Sequence, residues 1–192
     1  MRKIWAATIA VLPLTALTIG SASGAELGAD YRPPAAVNNP DVPRELIDAL
    51  PEVIQHDPDV IIDPDLVLGP IVYPDGTPVE GQDPATMREA RARCGGTATA
   101  TAVVWGPESI GGCTVWGSVG YKQGYAWGVQ DASGSVCAQG RGFTVSGTRT
   151  WYSIGCGKSN DGTTVTWGNI LSNPSVRAMA TSGPVNSVGW WI

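Results

Sequence analysis

The sequence predicts an all-β fold: a small disulfide-stabilised antiparallel sandwich or barrel, preceded by a largely extended, acidic, Pro-rich arm. Three observations predict it. All four cysteines and seven of the eight tryptophans lie between Cys94 and Ile192. That region shows no helical period, only short β-type runs separated by glycine turns. Fourteen of the seventeen acidic residues and eleven of the fifteen prolines fall between Glu26 and Arg93, a stretch too polar and too proline-broken to form a core of its own.

The chain opens as a secretory signal. Arg2 and Lys3 form a short positive region, Ile4 to Ile19 an apolar one, and Gly20 to Ala25 a small-residue segment suited to cleavage before Glu26. A bilayer span needs about 20 apolar residues. This run is shorter and ends in small polar residues, so it reads as a cleaved leader and not an anchor. No other segment reads as a membrane span. The expected layout is a signal peptide at 1–25, an arm or pro-segment at 26–93, mostly disordered with short docking segments, and a Trp/Gly-rich β domain at 94–192. The expected localisation is secreted, extracellular.

The arm carries fourteen acids and five arginines, a net charge of −9. Such a chain repels nucleic acid and anionic membrane, so neither is an expected partner. Asp41 to Leu50 has Asp41 as an N-cap candidate, Pro43 near the first turn, and Leu46, Ile47 and Leu50 on one face, which predicts a two-turn helix. Three β-type apolar patches follow: Val60, Ile61 and Ile62; Leu66, Val67 and Leu68; Ile71, Val72 and Tyr73. Exposed in an exported chain, such patches are adhesive. They dock either on the β domain or along a partner as added strands. The expectation taken forward is that all nine residues bind a partner, another secreted protein, and that the β domain folds without the arm. Asp83 to Arg93 reads as a short helix, and Arg88, Arg91 and Arg93 as a possible processing site.

In the β domain, Thr97 to Trp105 alternates as a strand. Trp105, Trp116 and Trp127 recur every eleven residues, each followed by glycine, which predicts successive strand ends in a meander. Cys94 to Cys113 and Cys137 to Cys156 share a spacing of nineteen, with Ser109-Ile-Gly-Gly-Cys113 echoed by Ser153-Ile-Gly-Cys156. The repeat favours Cys94–Cys113 and Cys137–Cys156 in two related hairpins among the three possible connectivities. Ser172 to Ala180 is the one helix candidate. Ser187 to Ile192 reads as a strand in which one of Trp190 and Trp191 must face outward.

Catalytic readings fare poorly. The only histidine, His56, lies in the arm, so the β domain lacks a Ser-His-Asp or Cys-His set. Oxidised cysteines are not nucleophiles, and there is no Cys-x-x-Cys pair for zinc. Asp57-Pro-Asp59 and Asp63-Pro-Asp65 lack the register of a calcium loop. Gly157-Lys158-Ser159 lacks the first glycine of a phosphate loop. A glycosidase pair would have to come from Glu108, Asp131 and Asp161, two of which sit in turn sequences. The expectation is a non-enzyme without cofactor or metal. The alternatives to an adaptor-like protein-binding module are an inhibitor of an extracellular hydrolase and a carbohydrate or cell-wall binder.

The organisation of the arm Glu26 to Arg93 and the domain Cys94 to Ile192 resembles small secreted actinobacterial proteins, such as the adaptor subunits of Streptomyces umbrella toxin particles. The resemblance covers the overall plan. It implies an adaptor that bridges a scaffold and a lectin subunit through its N-terminal extension and strand sharing. Mass spectrometry of the exported protein should find Glu26 at the mature N-terminus.

Overall fold

The computed structural model describes residues 32–83, 85, 94–130, 134–183 and 186–192. The expected leader, and the expected helix Asp83–Arg93 apart from Asp83 and Ala85, lie outside the described residues. Residues Arg32–Ile192 form one compact unit. Its first part holds α1 (Pro34–Asn38), α2 (Arg44–Asp48), α3 (Glu52–Gln55), β1 (Ile61–Ile62) and β2 (Ile71–Val72). Its second part holds β3 (Gly95–Ala102), β4 (Ser109–Ile110), β5 (Thr114–Trp116), β6 (Lys122–Val129), β7 (Ser135–Phe143), β8 (Arg149–Gly157), β9 (Ser159–Thr166), β10 (Ile170–Ser172), β11 (Ser175–Ser182) and β12 (Asn186–Trp191).

The main sheet runs β8-β7-β11-β3-β12-β6-β9, with β4 added beside β11. Its two end strands, β8 and β9, are consecutive in the chain and lie side by side, so the sheet curls into a nearly closed barrel. The fold is all-β, as the sequence predicts. Two details differ from expectation. The order is not a meander, and β11 pairs with β3 in parallel through Ala178↔Ala100, amid antiparallel neighbours. Ser172 to Ala180 is not a helix either. Val176, Ala178 and Ala180 point inward at strand period, and pairing to both β7 and β3 overrides the local helix signal.

The barrel is filled by large rings set against small side chains. Tyr125, Trp127 and Trp190 occupy the interior with Ala98, Ala100, Ala138, Ala178 and Val188, all buried. The Tyr125 ring lies so close to β7 that a Cβ on Gly140 would come within 2.8 Å of it, so only glycine fits there. The Trp127 indole N–H crosses the interior and donates to the Ile154 carbonyl at 2.9 Å. A buried aromatic needs such a partner for its polar end. Trp127 thus lies inside β6, whereas Trp116 ends β5 and Trp105 follows β3; the regular spacing does not mark strand ends uniformly.

Both expected disulfides form, Cys94–Cys113 and Cys137–Cys156. The second spans the β7–β8 hairpin, where the two cysteines are paired across the strands. The first does not close a hairpin, because β3 pairs with β11 and β12. It ties the start of the barrel to β5, beneath the arm.

The arm folds onto the barrel. Solvated disorder, the expectation from its composition, does not describe residues 32–83. Its helices are short, and α2 starts after Pro43 without a side-chain cap, so Asp41 is not the cap. What orders them is burial of Ala35, Ile47, Leu50, Ile54, Val60, Ile62, Leu66, Ile71 and Val79 around Leu171 of β10. A second sheet, β1-β10-β5-β2, places one arm strand on each edge of a barrel-side pair. Both added strands run parallel to their neighbours. Val72 continues into a third cluster with Val115, Phe143, Trp167 and Ile170. The expectation that Cys94–Ile192 folds unaided meets a cost: without the arm, Leu171, Ile170 and Phe143 lose their cover. Leu171→Ala should destabilise the whole unit by about 2–5 kcal/mol in denaturant titration, with arm and barrel unfolding in one transition.

Candidate functional site

Charge and amide side chains concentrate on the seam where the arm meets the barrel. Asp63, directly after β1, is buried. It accepts from the Ser172 hydroxyl at 2.6 Å and pairs with Arg149, while Arg141 stands at 3.5 Å. Arg149 also reaches Asp65 at 2.8 Å. Arg141 pairs with Glu108 from the loop before β4 and donates to the Asn173 carbonyl at 3.3 Å. Strand alternation puts Arg141 on the outside of the barrel. It is only 2% exposed because the arm lies over it.

Burial alone would raise the Asp63 carboxyl, but the Ser172 hydroxyl and the Arg149 guanidinium outweigh it and hold it below the usual carboxylate range. Desolvation, with Arg149 nearby, draws the Arg141 guanidinium down to about 10, so it stays charged at neutral pH. Glu108, one of the three carboxylates considered for glycoside hydrolysis, is engaged in this ion pair. Asp161 is exposed on β9, and Asp131 lies outside the described residues.

Three side-chain amides complete the seam. Asn173 accepts from the Val67 N–H at 2.8 Å and donates to the Val67 carbonyl at 2.9 Å. Gln82 treats Ile71 the same way, at 2.7 and 2.6 Å. Asn39 accepts from the Ile62 N–H at 2.7 Å and donates to the Val60 carbonyl at 2.9 Å. Each side chain satisfies arm backbone groups with both its donor and its acceptor. Sequence reasoning missed all three, since an amide bonding to remote backbone leaves no periodic trace.

The nine residues expected to bind a partner divide by face. Val60, Ile62, Leu66, Ile71 and Val72 are buried within the chain itself, which corrects their assignment as partner contacts. Ile61, Val67 and Leu68 are 42%, 56% and 44% exposed, and Tyr73 is half-buried. Strand alternation accounts for Val60, Ile61 and Ile62, where a strand docked by one face shows the other, whereas Ile71 and Val72 are buried on both faces. Leu68 borders a cleft of about 840 Å³ walled by Leu50, Pro51 and Pro70, with Glu52 and Asp83 at its rim.

Three aromatic features stand elsewhere on the surface. Tyr73 stacks on Trp116 with centroids 5.6 Å apart. Arg177 lies 4.5 Å from the Trp151 ring and 5.3 Å from that of Trp105, and is held by Gln139. Trp190 is inside the barrel while Trp191 is 51% exposed, as their adjacency requires. The chain matches no protein-family model, no curated protein and no solved structure.

Removing the Asp63 charge leaves Arg141 buried with less compensation, so Asp63→Asn should cost about 3–5 kcal/mol in stability. The lowered carboxyl pKa fixes the sign with pH. The contribution of Asp63 is full above the unfolded carboxylate range, near pH 4, and is lost as pH falls through the lower folded value. Acid titration of wild type and Asp63→Asn, followed by tryptophan fluorescence, should show the stability gap between them narrowing below about pH 4.

Proposed function

We propose that this is a secreted, extracellular, non-catalytic protein-binding module of adaptor type, whose partner is another secreted protein. The observation that supports it is the two-faced arm. Its inward residues are fixed on the barrel, and its outward residues Ile61, Val67 and Leu68 remain at the surface, the last beside a cleft of about 840 Å³. A folded arm presents these side chains in one conformation, so binding does not bear the ordering entropy of a disordered tail. The two disulfides are consistent with an oxidising, extracellular setting. The ionisable groups of the seam are committed to one another, which favours a structural role for them.

The partner surface that fits this arm is basic or neutral, with an apolar projection for the Leu68 cleft. Acidic residues outnumber basic ones around it, and charge of one sign sets both approach rate and choice of partner. Strand sharing of the kind the arm already makes with its own barrel is the mode least in need of new geometry.

A second reading, inhibition of an extracellular hydrolase, is favoured by one feature. Val103 has φ +57° and is 88% exposed, and Val104 beside it is 59% exposed. A β-branched residue in left-handed backbone is strained. The loop is pinned by the Thr101 hydroxyl on the Val104 carbonyl at 2.8 Å and by the Gly106 N–H on the Ala178 carbonyl at 2.8 Å. A rigid apolar tip of this type suits insertion into a cleft.

Affinity purification of tagged protein from culture supernatant distinguishes the two. Leu68→Glu should lose the co-purifying protein at least tenfold, with unchanged near-UV circular dichroism, and Val103→Gly should retain it. Equal capture by Leu68→Glu would sink the adaptor reading. Loss only with Val103→Gly, together with inhibition of a supernatant hydrolase by the wild type, would support the inhibitor.

A further inference from the structure

The Tyr73–Trp116 pair lines a notch of about 340 Å³ between the arm and the barrel side, with Asp57, Asp59, Ser118 and Asn169 around it. Two properties of the notch point to one ligand chemistry. First, the rings are stacked at 5.6 Å and 29°, which sets two π-faces on the wall of a shallow opening. Second, the carboxylates beside them have no counter-ion: among the described residues no lysine or arginine pairs with Asp57, Asp59 or Glu80. Asp57 instead accepts from the Asp59 N–H at 2.8 Å and, loosely, from the Asn169 amide at 3.4 Å. The Tyr73 hydroxyl donates to Glu80 at 2.8 Å, so that ring is oriented by a third carboxylate.

We propose that this notch binds the cationic side chain, lysine or arginine, of an extended segment of the protein partner. The cation lies against the Tyr73 and Trp116 rings, where the ring quadrupole attracts it, and faces Asp57 and Asp59. A neutral sugar fits less well. The one side-chain amide of the lining, Asn169, already leans on Asp57. A sugar also leaves both carboxylates uncompensated, whereas a cation neutralises them.

The inference rests on the partner-binding reading only for who supplies the cation. The notch lies apart from the Leu68 cleft in its lining residues, so the two fail separately. The test follows the 1H–15N indole signal of Trp116, assigned with Trp116→Phe, as the full chain is titrated with N-acetyl-arginine methylamide and N-acetyl-lysine methylamide. Parallel titrations use N-acetyl-norleucine methylamide and N-acetylglucosamine. The expected result is a saturable shift with either cationic probe, weakened at least tenfold in Asp57→Asn/Asp59→Asn and reduced by added sodium chloride. The Trp127 signal, from inside the barrel, should stay fixed in every case and reports that the variant is folded. Equal shifts with norleucine would reduce the notch to an apolar crevice. A shift with N-acetylglucosamine alone would make it a sugar site, and no saturable shift with any probe would overturn the assignment.

Discussion

The carboxylate of Asp63 holds the molecule together at its one chemically unusual point. It is the place where an acidic arm is joined to a barrel through groups that could not remain buried alone. Arg141 on β7 and Arg149 on β8 project outward from the barrel, and the arm brings Asp63 over them. A buried ion pair is a weak source of net stability, because desolvating its members offsets most of the attraction. Its value here is registration. A one-residue slip of β1 along β10 would move Asp63 away from Ser172 and both arginines, and would also turn Ile62 outward. The apolar clusters supply most of the driving force for docking, and the Asp63 contacts select one arrangement from the several that such clusters allow.

The barrel and the arm solve the core problem in opposite ways. In the barrel, three large rings and many alanines and glycines interlock, so strands approach closely and the interior is filled by few side chains. In the arm, aliphatic residues from three short helices and two short strands meet around Leu171, and no single element there buries enough to be ordered alone. The arm therefore depends on the barrel for order, and the outer barrel surface at Arg141, Phe143 and Ile170 depends on the arm for cover. That mutual dependence sets which surfaces stay open: Leu68 and its cleft, the Val103 tip, and the Tyr73–Trp116 notch.

Much of the fold was legible in the sequence wherever the signal was local or repeated. The shared spacing of the cysteine pairs pointed to the observed disulfides, and the adjacent Trp190 and Trp191 had to part across the sheet. The apolar patches of the arm were recognisable as docking stretches, yet their own barrel, and not a partner, takes their inner faces. Composition argued for solvated disorder because it counts apolar residues without asking what stands ready to receive them. Ser172 to Ala180 misled because alanine, methionine and arginine are good helix formers, and only pairing to β3 and β7 on either side decides for strand. The seam amides Asn39, Gln82 and Asn173 gave no signal at all. Nor did the pairing of Tyr73 with Trp116, which lie in different parts of the chain until β2 and β5 align them.

The two strands the arm contributes are only two residues long, and prolines crowd them: Pro64 follows β1, and Pro70 and Pro74 bracket β2. An open sheet edge is a template on which further chains can pair, and proline cannot extend such a ladder. The small sheet is thus self-terminating. Each arm strand satisfies the edge it covers and then offers nothing continuous for the next molecule to copy. For a β-rich chain this arrangement keeps strand pairing within one copy, with no continuous edge for a second copy to join.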